Sequence, residues 1–300
     1  MILVVGLTSA WQRTIEFGAF QLGEVNRATR VTESAGGKGT NCARVATQIG
    51  AEARLLTVVG GVRGDLLERS LKQQGIHARV VRVAAETRLC QTLLASGRAT
   101  ELVEEPGALT RSEVEQVLGL FRSQLARASL VVLIGTVPPG CGEDFYARLI
   151  REATRVGVRA IVDAQSRLLL NAIAEKPFLV RINRKELAAA TRFPARTPSA
   201  FLAAARKLVG LGAQTLVISN GSKEVQVFPQ GWGFNPPHVN AVNAVGSGDA
   251  MTAGLAHALQ QGKGMREAIH WGIACGAANA MTPTAGSVRP ADVRTLLRRF

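Results

Sequence analysis

The sequence predicts an α/β fold, a doubly wound and mostly parallel sheet flanked by helices, with a small β-sheet lid. Three observations carry this. Short apolar runs rich in Val, Ile and Leu recur along the chain with little polar alternation, as strands buried on both faces require. Longer amphipathic segments separate them, and strand–helix repetition over most of a chain implies a doubly wound core. Two stretches, Trp11–Val31 and Val80–Glu104, break that rhythm with turns and with alternation in ARVVRV and TLLASG. They predict a small sheet outside the main one. Lying next to the glycine-rich motifs in sequence, that sheet is expected to act as a lid over a cleft.

The apolar runs are Ile2–Gly6, Leu55–Val59, Leu130–Ile134, Ala160–Val162, Phe178–Ile182 and Thr215–Ser219. A helix is expected to start near Thr40. A second spans Ser112–Arg127, with Ser112 as its cap and Glu113 and Glu115 in the first turn, where acids suit the helix dipole. A third, Glu143–Val156, follows PPGCG. Pro198–Leu211 follows Thr197 and carries proline at its first position. An amphipathic helix begins at Asp249 and runs to Leu259.

Composition bounds the function. The chain has 300 residues, is 47% hydrophobic and 19% charged, and carries a net charge of +14. It holds ample core material, and its charge favours anionic partners such as nucleotides and sugar phosphates. The arginines are dispersed with no five-residue basic run, which argues against a dedicated nucleic-acid role. Cys42, Cys90, Cys141 and Cys275 lack any CxxC spacing. That argues against a zinc site or disulfide framework and points to a reducing cytoplasm. The N-terminal MILVVGLTSA has no basic region and its apolar run ends by Thr8, too short for a signal core or membrane span.

Four segments carry chemistry. In NAVGSGDAMTAGLAHAL, Gly246 and Gly248 flank Ser247 and Asp249 follows at once. Glycines bare backbone N–H groups, and at a helix start these form an anion hole. Asp249 is there either a first-turn acid that suits the dipole or a general base beside that hole. In SAGGKGTNCARVATQIG, glycines surround Lys38 before a helix. The spacing is not that of a P-loop, and the segment is either a ligand-holding loop using Lys38 and Asn41 or a glycine-rich helix cap. In RINRKELAAA, Asn183 caps a helix with Glu186 three residues on. This capping box also sets an amide and a carboxylate at a strand end, where α/β folds bind ligands and a carboxylate can orient water around Mg²⁺. TLVISNGSKE reads as a buried strand and a turn at Gly221.

In this order the motifs resemble the ribokinase-like carbohydrate kinases, with a closer match to the branch of 1-phosphofructokinases and tagatose-6-phosphate kinases. The resemblance spans Val4 to the last helix and rests on seven collinear segments: LGEVNR at 22–27, GGKGTN at 36–41, ETR at 86–88, TEL at 100–102, PPG at 138–140, DFYARL at 144–149 and the Gly246–Asp249 turn. It implies ATP and Mg²⁺ as cofactors, leaves a monovalent cation open, and implies a homodimer paired through the lid. Asp249 is implied as the catalytic base, with Gly246, Ser247 and Gly248 as its anion hole. Gly36, Gly37, Lys38, Asn41 and Thr136 are implied on the sugar side. Arg88 would hold a phosphate already on the substrate. Asn183 and Glu186 would organise Mg²⁺ and the ATP phosphates, with Glu186 acting on the metal through water. Ser219 and Gly221 would lie by the nucleotide. Asn279 is either an adenine-side contact or a polar residue of a core helix.

The chain departs from the family pattern in places. Gln12 aligns with an aspartate that grips sugar hydroxyls. Arg181-Ile182 replaces lysine-proline, Cys90 replaces an asparagine, Glu224 replaces a glycine, and Ile134-Gly135-Thr136 replaces serine-glycine-serine. The phosphoryl-transfer half is nearly intact while the sugar half has drifted. The expected reaction is phosphoryl transfer to a phosphorylated ketohexose, first of all fructose 1-phosphate to fructose 1,6-bisphosphate. Tagatose 6-phosphate, fructose 6-phosphate and an unphosphorylated sugar or nucleoside are the alternatives, and a weakly active sugar-phosphate sensor is a rival of another class.

Overall fold

Alternate residues of the central strands serve opposite cores. In β1 (Ile2–Val5), Leu3 and Val5 enter one hydrophobic cluster and Ile2 and Val4 the other; in β8 (Leu130–Ile134), Val131 and Leu133 oppose Leu130, Val132 and Ile134. With both faces buried, the strands need no polar alternation. The computed structural model describes residues 1–193 and 197–300.

The large sheet has nine strands, in the order β13 (Trp232–Phe234), β12 (Lys223–Phe228), β11 (Leu216–Asn220), β10 (Leu179–Asn183), β9 (Arg159–Asp163), β8, β1, β4 (Ala53–Val59) and β5 (Ala78–Arg82). From β11 to β5 every pairing is parallel; β12 and β13 add antiparallel strands at one edge. One face is covered by α3 (Arg111–Leu125), α4 (Phe145–Arg155), α5 (Ser166–Ala174), α6 (Arg184–Thr191) and α7 (Pro198–Gly210). The other carries α1 (Lys38–Gln48), α2 (Gly61–Gln73), α8 (Ser247–Gln260), α9 (Met265–Ala280) and α10 (Pro290–Leu297). The first strand lies inside the sheet, with β4 on one side and β8 on the other. That topological switch opens a crevice at the carboxyl ends of β1 and β8, where open α/β sheets bind ligands.

A second sheet of four strands stands apart, ordered β3 (Arg30–Gly36), β2 (Ala10–Phe17), β6 (Arg88–Ala95) and β7 (Arg98–Val103). β2 pairs antiparallel with β3 and parallel with β6, and the β6–β7 hairpin is antiparallel. The expected boundary at residue 80 is corrected: Val80–Arg82 belongs to β5, which pairs parallel with β4 in the large sheet. As the edge strand of that sheet, β5 sends Val81 into one hydrophobic cluster and packs Val80 on the other, while Arg79 and Arg82 are exposed.

Three helix starts also shift. Thr110, not Ser112, caps α3: its hydroxyl accepts the Glu113 N–H at 3.3 Å, and the Glu113 carboxylate accepts the Thr110 N–H at 2.7 Å. Glu113 stands three residues beyond Thr110, the reciprocal spacing a capping box needs. α1 begins at Lys38, and α8 begins at Ser247, which puts Asp249 inside its first turn. Thr197 caps α7 as expected, with Pro198 at its first position. No helix among the described residues is long and apolar enough to cross a membrane.

Candidate active site

Several of the candidate side chains meet at the carboxyl ends of the parallel strands. β9 ends at Asp163 and β10 at Asn183, where α6 begins; α1 and α8 aim their N-termini at the same place. Asn41, on the first turn of α1, donates from Nδ2 to Asp249 Oδ2 at 2.9 Å. The carboxylate and the glycine-rich loop, 208 residues apart in sequence, therefore meet.

Glycine is needed at two points here. Gly37 caps α1 with φ 93°, and a side chain on it would fall 2.8 Å from the Thr8 carbonyl oxygen. Gly248 lies against Arg181, and a Cβ there would stand 2.3 Å from Nη1. Gly246 precedes α8 with no side-chain cap; the Ser247 N–H turns back to Ala244 O at 3.2 Å, and the Gly248 and Asp249 N–H groups, which have no partner among the described residues, face where the dipole favours an anion.

Charge is concentrated beneath this opening. Lys38 Nζ lies 3.5 Å from Glu186 Oε1 and 3.8 Å from Asp163 Oδ1. Asp163 is fully buried and its Oδ2 accepts from Thr252 Oγ1 at 2.8 Å and from Arg181 Nη1 at 3.2 Å. Arg181 Nη2 reaches Ser219 Oγ at 2.8 Å. Burial alone would raise the Asp163 carboxyl, yet Arg181, Lys38 and the Thr252 hydroxyl hold it below the ordinary value. Burial opposes the Lys38 ammonium, but Asp163, Asp249 and Glu186 raise its pKa. For Asp249 burial prevails: its pKa is pushed up to about 7, with Asp163 adding to the rise and Lys38, Asn41 and Arg181 opposing it. A carboxyl poised there exchanges protons near neutrality, as a general base does.

Asn183 and Glu186 form the expected capping box. Asn183 Oδ1 accepts from the Lys185 and Glu186 N–H groups, each at 2.9 Å, and Glu186 Oε2 accepts the Asn183 N–H at 2.8 Å. One carboxylate oxygen caps the helix and the other faces Lys38, so capping and a place in the cleft coexist. Thr136 follows β8 and its hydroxyl lies 3.2 Å from that of Thr8. Arg88 spends three donors on carbonyls, two on Thr8 O at 2.7 and 3.2 Å and one on Glu104 O at 3.2 Å. Among the described residues, two of its five N–H groups have no partner.

Gln12 sits in β2 and donates to Thr92 Oγ1 of β6 at 2.9 Å, and Gly36 pairs with Ala10. Gly221 makes the exposed β11–β12 turn with φ 60°. Asn279 lies behind the helix start. It is fully buried, its amide donates to Val245 O at 2.9 Å and to Ser247 Oγ at 3.0 Å, and its Oδ1 accepts the Ser287 N–H at 3.1 Å. Of the two alternatives for Asn279, the core-helix one describes its position.

Sequence reasoning missed Asp163, Thr252 and Arg44, and noted Arg181 only as a departure. A lone aspartate closing the apolar run Ala160–Val162 was the available signal for Asp163, since an acid at the end of a buried strand needs a partner. Thr252 and Arg44 lie in helices and carried no such mark.

Among the described residues no cluster of three or more His, Cys, Asp or Glu could hold a metal ion alone. The donors do fit a Mg²⁺ carried on nucleotide phosphates, which needs hard oxygens, keeps several waters and takes only one or two carboxylates. Glu186 Oε1 and the buried Asp163 Oδ1, which has no hydrogen-bond partner among the described residues, are such oxygens.

The sequence profile of the pfkB family carbohydrate kinases matches residues 1–292. The chain belongs to the pfkB family of carbohydrate kinases. It is an ATP-dependent sugar kinase with a ribokinase-like fold. This pfkB kinase is 34% identical over 265 residues to a 1-phosphofructokinase of Xanthomonas campestris, covering 86% of this chain and 83% of the relative. It is 27% identical over 296 residues to a tagatose-6-phosphate kinase of Staphylococcus epidermidis, covering 96% and 94%. Its fold is that of Escherichia coli phosphofructokinase-2 in complex with potassium, with TM-score 0.89, 24% identity and coverage of 99% and 98%.

Proposed function

We propose that this pfkB kinase transfers the terminal phosphoryl group of ATP to a hydroxyl of a phosphorylated ketohexose, converting fructose 1-phosphate to fructose 1,6-bisphosphate. The observation that carries the reading is the 2.9 Å contact between Asn41 and Asp249, which joins the glycine-rich loop to a buried carboxylate at a helix start. The 1-phosphofructokinase relative supports this acceptor.

In the proposed reaction Asp249 accepts the hydroxyl proton as the new O–P bond forms and the bond between the γ-phosphorus and ADP breaks. Oδ2 is engaged by Asn41, so Oδ1 takes the proton. The Gly248 and Asp249 N–H groups receive the transferring phosphoryl oxygens, and Lys38 supplies a cation beside them. Glu186 and Asp163 would hold Mg²⁺, whose charge neutralises the nucleotide phosphates. Arg88, with its two remaining N–H groups, binds the phosphate already on the sugar, and Gly36, Gly37, Gln12 and Thr136 line the acceptor side. Ser219 and Gly221 border the nucleotide. The second sheet acts as the lid whose closure excludes water, a competing acceptor. We also propose a homodimer paired through this sheet, whose Val31, Leu102 and Val103 are exposed, and a cytoplasmic location, where ATP is available. A monovalent cation as a further cofactor is supported by the potassium complex of the E. coli neighbour.

Tagatose 6-phosphate is the second acceptor reading, favoured by the Staphylococcus epidermidis relative. Coupled ADP release across fructose 1-phosphate, fructose 6-phosphate, tagatose 6-phosphate and free hexoses tests both. Highest kcat/KM with fructose 1-phosphate is expected; highest kcat/KM with a free hexose would remove the phosphate-binding assignment of Arg88.

A further inference from the structure

Arg44 is a cation buried in the wall of the site with no carboxylate bound to it among the described residues; it is only 4% exposed. All its hydrogen bonds go to neutral oxygens. Nε donates to Gln74 Oε1 at 2.5 Å. Nη1 donates to Asn41 Oδ1 at 3.1 Å, to Ala285 O at 3.1 Å and to Gly286 O at 3.3 Å. Nη2 donates to Ala35 O. Of these partners Asn41 holds the Asp249 carboxylate. Ala35 precedes the Gly36–Gly37 turn. Gly286 backs onto Gly246, where an added Cβ would stand 2.3 Å from the Gly286 nitrogen.

We propose that Arg44 is a positioning residue for Asp249, fixing which end of the Asn41 amide faces the carboxylate. A guanidinium has only donors. With Asn41 Oδ1 held by Nη1, the amide must present Nδ2 to Asp249. Turned over, it would set nitrogen against guanidinium and oxygen against carboxylate, two repulsions at once. The N–H donated to Asp249 favours its ionised form, the form that accepts a proton. The buried guanidinium also adds a fixed positive charge near that carboxylate: burial lowers the Arg44 pKa to about 10, and Asp249 is the charge that opposes the fall. The same side chain ties α1, α2, the end of β3 and the 285–286 turn together, so amide orientation and loop placement are set by one group.

This inference rests on Asp249 being the base, and the two are separable. In the full-length chain, Arg44→Lys and Asn41→Ala are made singly and together, and kcat, KM for the acceptor and the thermal midpoint are measured. Each single change is expected to lower kcat roughly tenfold to a hundredfold, as small misplacements do. The double variant should be no slower than the slower single one, because Arg44 acts through Asn41. Losses that multiply in the double variant, or a lowered midpoint with kcat unchanged in Arg44→Lys, would overturn the proposal. If Arg44→Lys does not fold, Asn41→Asp carries the test. With Arg44 in place the new carboxylate turns an oxygen to Asp249, adding to Asp163 against Lys38, Arg181 and Arg44, and the acid limb of the kcat–pH profile moves up. An unmoved limb overturns the proposal. The base assignment fails on a different result, near-normal turnover in Asp249→Asn with Arg44 and Asn41 intact.

Discussion

The head of α8 and the four-stranded second sheet border one cleft but are built differently. Beside Asp249 the Asp163–Arg181 pair is held out of water, Asp163 1% exposed and Arg181 7%, with Lys38 at its mouth. In the second sheet β7 has no buried residue, and the ion pair between Arg13 and Glu33 is nearly half exposed on both sides. Buried charges depend on each other, since removing one leaves another unpaired in a poor solvent. Exposed pairs contribute little and can be exchanged. Two departures from the family pattern follow this division. Arg181, inside the buried network, replaces one cation by another. Gln12, in the second sheet, replaces an anion by a neutral amide and bonds Thr92 instead. On the proposed assignment, electrostatics constrains the phosphoryl-transfer side more tightly than the sugar side.

The sharpest way to break this contrast is Asp249→Asn. Turnover is expected to fall by roughly two to four orders of magnitude with KM for the acceptor little changed, read by steady-state ADP release. Next is Asp163→Asn, which leaves the Arg181 guanidinium buried without its charge partner. Denaturant unfolding should show a loss of about 3–5 kcal/mol; a loss no larger than that of a surface variant would place the network on the same footing as the sheet. The pH profile follows. Asp249 in the free enzyme has a pKa of about 7 against an ordinary 3.8, and only its ionised form accepts a proton. kcat/KM should therefore rise with pH, about tenfold per unit below the limb, and level off above about 7. Lys38→Met should move that limb upward, because the Lys38 ammonium is the main group opposing burial. The smallest effects belong to the sheet. Arg88→Ala should raise KM for a phosphorylated acceptor roughly tenfold with kcat nearly kept, and Gln12→Ala should change KM only a few-fold. An unchanged KM in Arg88→Ala would retire the phosphate clamp.

Much of this protein is written locally. The apolar runs mark six strands of the large sheet because strands buried on both faces need continuous hydrophobicity. The Asn183–Glu186 box and the Thr197–Pro198 start are visible because helix caps bond to residues two or three positions away. The glycines at 37, 246 and 248 announce tight backbone before any coordinates. What the sequence could not supply was which far-apart charges share one enclosure. Asp163 meets Lys38, Arg181 and Thr252 from three other elements, and Arg44 reaches Asn41, Ala35, Gln74 and Gly286. β5 likewise joined the large sheet although its alternation matched the small one. Pattern reports one chain segment and its solvent. Proton affinity and strand partnership are set by what the rest of the chain folds against that segment, and only the tertiary structure decides that.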